Sequence, residues 1–456
     1  MGDNMLNMMK YISTVPFSGL LNWSVQYLND SKISFSKVYP MMCIGEFLKR
    51  NKIAVTIQDG VKYKRVTIKV RNGGVVPRDE VMGENIGTKK QFLVSEGQFI
   101  LSKIDARNGA MGIVPAELNG AVVTQDFLPY DIDTAKVNPQ YFVLVCTTKQ
   151  FVEFCQSCSS GTTNRQRVDE AQFLNIKVPI PSMEEQNKLV EEYNNQMDQA
   201  VQQEKQVSEY ESNIISYLST ALKINTIEHE DASNSKYTFL KFVKYRMVGE
   251  WGYDKYLNKN KASSKVFKSF KIKDLCNVGS GGTPSRSHQQ YYSGNIPWIK
   301  TGEVLDGIIS DTDEHISQEA INNSSAKIYP QGSLIIAMYG QGNTRGRTAK
   351  LGIDAATNQA CAVLFNIDND IVATDYLWYY LQTQYHNLRS MASGNNQPNL
   401  NADKIKNYSV VIPPLSVQKE IIEHIKEQKE QIKKCKLQAE HLRTQALVNF
   451  EKKIFE

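Results

Sequence analysis

The second half of this 456-residue chain restates the first at a nearly constant offset, and no other feature limits its possible folds so strongly. Trp23, followed by Tyr27-Leu28, is answered by Trp251 and Tyr256-Leu257, and Ile44 to Leu48 by the same apolar pattern at Ile272 to Cys276, both 228 residues on. Glu96-Gly97-Gln98-Phe99-Ile100-Leu101 resembles Gln331-Gly332-Ser333-Leu334-Ile335-Ile336 at 235, and Ser160 to Asn164 resembles Ser393 to Gln397 at 233. Val178 to Pro181 matches Val410 to Pro413, and Gln186 matches Gln418, both at 232. Six landmarks in one order, with a drift of only a few residues, predict two copies of one fold. In each copy short apolar runs bounded by glycine, Phe99-Ile100-Leu101 and Leu334 to Met338, read as strands.

Each copy then ends in a different kind of sequence. After Pro179/Pro181 and after Pro413-Pro414, glycine and proline vanish for about forty residues and Glu, Gln, Lys and Leu take over. Tyr193, Ala200, Val207, Ile214 and Ala221 recur every seven residues, as do Ile425, Ile432, Ala439 and Ala446. A strict seven-residue apolar repeat is the mark of a coiled-coil seam, so both segments are expected to be long helices, rods of roughly 60 Å at about 1.5 Å per residue. Residues 182–223 carry a net charge of −5 and residues 414–456 a net charge of +2. Opposite charge favours pairing of the two rods within one chain over pairing with another copy. The polar stretch Asn225 to Lys236 reads as an exposed connection.

Composition narrows the chemistry. Apolar residues make up 41% and charged residues 22%, enough for real cores, and no run of about 18 apolar residues predicts a membrane-spanning helix. Met1 to Tyr11 has no apolar stretch of signal-peptide length. The seven scattered cysteines (43, 146, 155, 158, 276, 361 and 435) therefore fit reduced thiols and a cytoplasmic chain. The net charge of +5 allows an acidic partner such as nucleic acid without demanding one. No Walker A pattern is present, and Cys155/Cys158 lacks a second pair or nearby histidines to complete a zinc site. The six histidines show no ligand spacing, and His424 and His441 are expected on the surface of the second rod. Asn138-Pro139-Gln140-Tyr141 approaches the Asn/Asp-Pro-Pro-Tyr pattern of amino-methyltransferases, in which the polar residue and the proline-set carbonyl accept hydrogen bonds from the target amine. Its third position is Gln140, and its repeat partner Thr374-Asp375-Tyr376 has no proline, so a helix start is the better reading. Gly279-Ser280-Gly281-Gly282 is likewise better read as a turn than as a cofactor loop. No catalytic, cofactor or metal residue is assigned.

What remains suits contact with DNA. Gly340 to Arg347 places Gln341, Asn343, Arg345 and Arg347 among glycines, and the first half has Lys103, Asp105, Arg107, Asn108 and Gly109 at the corresponding place. Arginine can bind guanine edges bidentately, asparagine and glutamine can bind adenine edges, and glycine lets backbone amides approach phosphates. A plain polar surface loop stands as the alternative. Arg71-Asn72 and Thr283-Pro284-Ser285-Arg286 form a second, weaker pair of candidate loops, and Asn164-Arg165 and Asn396-Gln397 a third that also suits helix caps.

Gly281-Gly282-Thr283-Pro284, then Ile296-Pro297-Trp298-Ile299-Lys300-Thr301-Gly302-Glu303, Gly332 to Ile336, Thr357-Asn358-Gln359-Ala360, Ser393 to Leu400 and Ile412-Pro413-Pro414-Leu415 with Gln418 resemble a target recognition domain of type I restriction-modification specificity subunits (HsdS). With the first copy, the likeness covers nearly the whole chain. That copy departs from the pattern: it lacks Gly-Gly-Thr-Pro and Ile-Pro-Trp, and has Arg165-Gln166-Arg167 where the second has Gln397-Pro398-Asn399. The resemblance implies an α+β chain of two pseudo-repeated α/β target recognition domains joined by two long helices in an intramolecular antiparallel coiled coil. Its parts are domain 1 at residues 1–181, a central spacer helix at 182–223, a linker at 224–240, domain 2 at 241–413 and a second spacer helix at 414–456.

It further implies a non-catalytic subunit. Each domain would read half of a bipartite site on double-stranded DNA; Thr283, Ser285, Arg286 and Lys300 join the loop residues above as candidate contacts on composition alone. The helices would act as a ruler, placing the readers one to two DNA turns of about 34 Å apart. Two methyltransferase subunits carrying S-adenosylmethionine would dock on the helices, and restriction/translocase subunits using ATP and Mg would join them. Three alternatives stay open. They are a type IIB-like specificity subunit, a stand-alone methyltransferase using Asn138 and Tyr141, and a coiled-coil scaffold that binds protein only.

Overall fold

The structure, a computed structural model, describes residues 39–157, 159–160, 167–224, 264, 266–340, 342–391 and 400–455. The connection at 225–236, Trp23, Trp251 and Cys158 lie outside them. The chain divides into two compact units, Met1–Gln203 with Leu437–Glu456, and Glu204–Lys436.

In the first unit four antiparallel strands lie in the order Leu48–Arg50, Phe127–Ile132, Phe99–Ser102, Met111–Ile113. In the second the order Asn277–Ser280, Cys361–Phe365, Leu334–Ala337, Thr348–Leu351 repeats it, with Ile308–Ile309 added in parallel at the edge. The central strands are apolar on both faces because each face meets a separate core. Phe99 and Leu101 join Phe142, Phe151 and Phe173, while Ile100 joins Val66, Val94 and Val123. Leu334 and Ile336 join Tyr376 and Tyr380, while Ile335 and Ala337 join Ala349 and Val363. A strand with no polar face has no alternation to show, which is why these runs read as continuous apolar stretches.

Each sheet is followed by the same set of short helices, Pro139–Thr147, Lys149–Ser157 and Glu170–Leu174 in the first unit and Thr374–Thr383, Tyr385–Ser390 and Ala402–Lys406 in the second. A returning strand then pairs with an early one, Lys177–Pro179 with Met41–Cys43 and Ser409–Ile412 with Lys268–Lys271. The copies differ in what is inserted. The first unit carries a five-stranded sheet built around the hairpin Lys62–Ile68/Val75–Met82, and the second a four-stranded sheet around Ile296–Ile299.

The long helices run Met183–Ala221 and Leu415–Phe455. Their seven-residue seams are buried as the periodicity demands, with Ala200, Val207 and Ile214 on one and Ile425, Ala439 and Ala446 on the other. They pair within the chain and in opposite directions. In the second unit Gln206 meets Cys435 and Tyr217 stacks on His424 at 3.7 Å. His424 is thus not the surface residue expected: it adjoins the seam residue Ile425, and its ring is half-buried against the facing helix. Opposite charges meet at the edges of the pair, Glu192 with Lys453 in the first unit and Glu211 with Lys436 in the second.

One buried amide fixes the start of each long helix. Gln186 donates to the carbonyls of Lys136 and Pro181 and accepts from the Asn138 amide. Gln418 donates to those of Ile371 and Pro413 and accepts from the Ala373 amide. Neither side chain is exposed. The amide therefore satisfies backbone groups of the loop before the first short helix and of the proline turn at once, a matching in hydrogen bonds of the two halves. Tyr141 and Tyr376 repeat the idea, each donating its buried hydroxyl to the returning strand, at the Pro179 and Val411 carbonyls.

These contacts rank by burial. Replacing Gln186 or Gln418 by leucine leaves three buried backbone partners unmet, and about 1–3 kcal/mol is expected to be lost in urea unfolding. Leu218→Ala in the second unit's helix pair is expected to cost about 2–5 kcal/mol, whereas Glu192→Gln, at an exposed ion pair, should cost under about 1 kcal/mol. A larger loss for Glu192→Gln than for Leu218→Ala would contradict this ordering.

Candidate nucleic-acid interface

In the first unit the loop joining Phe99–Ser102 to Met111–Ile113 forms a short 3-10 turn at Ala106–Asn108. Ala106 is fully buried, and Gly109 closes the turn at φ 77. The tip of the hairpin Lys62–Ile68/Val75–Met82 docks on this loop. Arg71 and Asn72 both take left-handed backbone, φ 56 and 57, as a tight two-residue hairpin turn requires. Arg71 donates its amide to the Asn108 carbonyl at 2.7 Å, and Asn72 donates its own to the Gly109 carbonyl at 3.2 Å. A Cβ on Gly109 would lie 2.4 Å from Asn72 Oδ1, so a larger residue there would push the Asn72 side chain aside. Two candidate loops that lie some 35 residues apart in sequence are therefore one surface. Arg71, Asn72 and Asn108 are exposed on it, and Lys103 and Arg107 half-buried. Lys103 is held through its backbone, donating to Asp126 and accepting from Val168.

In the second unit the corresponding loop, residues 338–347, extends the hairpin of Leu334–Ala337 and Thr348–Leu351. Gly346 donates to the Ala337 carbonyl and Ala337 to that of Arg347, each at 2.9 Å. Arg347 is turned inward. Its Nε donates to the Asn343 carbonyl at 3.0 Å and its Nη1 pairs with Asp306 Oδ2 at 3.3 Å. The Tyr385 hydroxyl donates to the same Asn343 carbonyl and is itself met by Arg389. Asn343 is exposed and Arg345 half-buried.

Arg286 and Lys300 meet at Glu314, a residue that the sequence reading missed, while the Ser285 hydroxyl shares a hydrogen bond with that of Ser287. Glu314 pairs with Arg286 at 2.8 Å and with Lys300 at 2.9 Å. The hydrogen bonds from Arg286 and then Lys300 hold its carboxyl below the usual range, and Glu314 in turn raises both bases. Arg286 also lies over the Tyr292 ring, 4.1 Å from its centroid. The glycines of Gly281-Gly282-Thr283-Pro284 serve close packing. A Cβ on Gly281 would fall 1.8 Å from the Thr357 carbonyl oxygen, which accepts the Gly282 amide, while the Gly282 carbonyl accepts Trp298 Nε1–H at 3.0 Å. Thr283 donates to Gln359. Three motifs distant in sequence, around residues 281–284, 296–303 and 357–360, thus form one knot.

Asn164, Arg165, Gln341, Asn396 and Gln397 lie outside the described residues. The pattern at Asn138 to Tyr141 is structural. Asn138 Oδ1 accepts the amides of Gln140 and Tyr141 as a helix cap, and the Tyr141 ring is fully buried, out of reach of a flipped base. Gly279-Ser280 ends a strand. Among the described residues no group of three or more His, Cys, Asp and Glu could hold a metal ion, and Cys155 is buried in the helix Lys149–Ser157. Burial pushes the Cys276 thiol up to about 12 and raises that of Cys146 as well. No described helix is long and apolar enough to cross a membrane.

Comparison with known proteins agrees with this anatomy. A model of the type I restriction modification DNA specificity domain matches residues 39–209 and again 265–440, once in each half. The chain is 27% identical over 183 residues to the type I restriction enzyme MjaIX specificity subunit of Methanocaldococcus jannaschii, covering 37% of this chain and 41% of that protein. Against that relative, then, the likeness spans about two-fifths of its length. The chain is also 21% identical over 366 residues to the type I restriction enzyme HindI specificity subunit of Haemophilus influenzae, covering 70% of this chain and 77% of that one. A solved chain from work on complex assembly and conformational transition of the type I R-M system shares the fold, with TM-score 0.59 at 15% identity over 92% of this chain and 98% of that one. The chain belongs to the type I restriction-modification DNA specificity family and carries that family's domain twice.

Proposed function

We propose that the chain supplies the sequence specificity of a DNA-modifying complex, each unit reading one half of a bipartite site on double-stranded DNA. One observation carries this reading. The same four-stranded sheet presents a polar loop at the same place in both units, and the loops share almost no residues, Lys103 to Gly109 in one and Gly340 to Arg347 in the other. Loops vary readily in any duplicated fold, so the support lies in both being polar, with basic and amide side chains at matched places. Base edges in the grooves would supply the discrimination and phosphates much of the affinity.

Catalysis belongs, on this reading, to partners. Two methyltransferase subunits with S-adenosylmethionine would dock on the long helices, and restriction/translocase subunits would bring ATP and Mg, all in the cytoplasm. The helices suit docking because the faces turned away from the seam and the unit cores carry exposed apolar residues. Val201, Ile215, Leu437 and Val448 remain exposed along them. A type IIB-like arrangement, with the activities fused in one partner, makes the same demands on this chain.

Adenine methylation mapped by long-read sequencing, with the gene intact and deleted, tests the proposal. Loss of one split motif, two short half-sites around a fixed gap, is expected. Loss of a short continuous motif, or of none, would overturn it. On a duplex carrying that motif, log K should fall linearly with log salt at a slope of about −0.9 per phosphate contacted. Arg71→Ala, at the exposed hairpin tip, is expected to weaken binding and to lower that slope by about one on target and non-target duplexes alike. An unchanged slope would remove Arg71 from the interface.

A further inference from the structure

Val70-Arg71-Asn72-Gly73 and Val304-Leu305-Asp306-Gly307 share the pattern Val-x-Asn/Asp-Gly at an offset of 234, inside the drift of the repeat, although the elements leading to them differ. In the first unit the segment is the tip of the long hairpin. In the second it precedes the short edge strand Ile308–Ile309. Both Asn72 and Asp306 take left-handed backbone, φ 57 and 60, which asparagine and aspartate tolerate better than other residues with side chains. Both sit between the unit's polar loop and the first short helix. Asn72 donates its amide to the Gly109 carbonyl and its Nδ2 to the Thr147 carbonyl at 3.1 Å. Asp306 donates its amide to the Thr348 carbonyl at 2.7 Å, and its own carbonyl accepts Gln382 Nε2 at 3.2 Å. Thr147 and Gln382 are themselves 235 residues apart.

We propose that Asn72 and Asp306 are matched positioning residues, each fixing the stance of its unit's reading loop and so the specificity of one half-site, without touching a base. The inference rests on the DNA-reading role. Asp306 shows the mechanism more fully. Its Oδ1 accepts the Thr348 amide at 3.0 Å and the Thr348 hydroxyl at 3.1 Å, while Oδ2 holds Arg347. Arg347 then clamps the Asn343 carbonyl from one side and Tyr385 from the other, which leaves the Asn343 side chain facing outward. A carboxylate at a DNA-facing surface opposes binding by its charge, and pairing with Arg347 offsets that charge. Arg347 is accordingly part of the brace and not a reader. The ion pair is about one-third exposed on both sides, so it contributes little to global stability. Its effect is on the aim of the loop, to which bidentate base contacts are sensitive.

The test uses the full chain with the subunits that co-purify with it, and a pool of randomised duplexes selected at physiological salt. Wild type is expected to enrich a split motif. Asp306→Ala should relax preference in one half by about tenfold per position, with the other half unchanged. Arg347→Met should relax the same positions, and Asp306→Asn, which still accepts from Thr348, should keep most of the preference. Asn72→Ala should relax the opposite half, and Gly109→Ala, whose Cβ displaces the Asn72 side chain, should copy it. Should Asp306→Ala fail to fold, Asp306→Asn and Arg347→Met decide. If the Asp306 and Arg347 variants keep both halves, or relax both equally, the brace is wrong while the reading role stands. If wild type enriches no motif, the reading role itself fails.

Discussion

The seam of the two long helices is the constraint on which both units depend. It is made of small and medium apolar residues, Ala200, Val207 and Ile214 against Ile425, Ala439 and Ala446, and these are buried although the helices are otherwise polar. A seven-residue apolar stripe on a long, otherwise mostly polar helix is buried against a partner with the same stripe. The core of each unit then reaches out to that pair. In the first, Leu189, Val190, Phe450 and Ile454 belong to the same cluster as Phe99 and Phe142. In the second, Ile214, Leu218, Ile421 and Ile425 belong with Leu334 and Tyr376. Each unit thus completes its hydrophobic core with a stretch of both helices, and the buried glutamine at each helix start sets the angle of entry.

Lys429 illustrates how tightly that junction is made. It lies on the second helix but faces Trp378 and Tyr379, with its ammonium 5.0 Å from the Tyr379 ring centroid and donating to Gln382. Burial pulls its pKa below the ordinary lysine value, and only the aromatic faces and the Gln382 amide make a charged group tolerable there. The same helix face brings Lys426 toward Asp375, which Lys350 already holds at 2.6 Å. Helix, short helix and sheet are therefore tied by charges that water does not fully screen.

The architecture was legible because its signals are periodic or duplicated. A seven-residue apolar stripe survives any reading, and a landmark such as Gln186/Gln418 stands out because the same residue recurs at the same offset, for the reason now visible in its hydrogen bonds. The candidate site was legible only in part. Arg71-Asn72 and Lys103 to Gly109 were singled out separately, but nothing in their spacing says that a hairpin tip folds back onto the loop. In the sequence Arg347 and Arg286 stand as bases in glycine-rich or polar loops, and Lys300 stands in the Ile-Pro-Trp-Ile-Lys motif. Their partners, Asp306 and Glu314, are distant acids whose role depends on which strands become neighbours. The match of Asn72 with Asp306 was available from the offset. It was hidden because one residue is neutral and the other charged, and because the elements leading to them differ.

That difference separates what the two copies keep from what they vary. Cores and helix starts repeat in detail because each buried group has partners in fixed places, and a lone change there leaves a cavity or an unmet hydrogen bond. The inserted sheets do not repeat. In the first unit the inserted hairpin delivers a left-handed asparagine to the space between loop and helix, and in the second the segment before an edge strand of the repeated sheet delivers a left-handed aspartate. An eight-residue strand closes that hairpin, and the edge strand has two residues. With positioning assigned to one residue of that kind, the loop beside it is free to vary in length and charge. On the proposed reading, the Val-x-Asn/Asp-Gly turn joins the loop that differs between the two copies to the scaffold that they share.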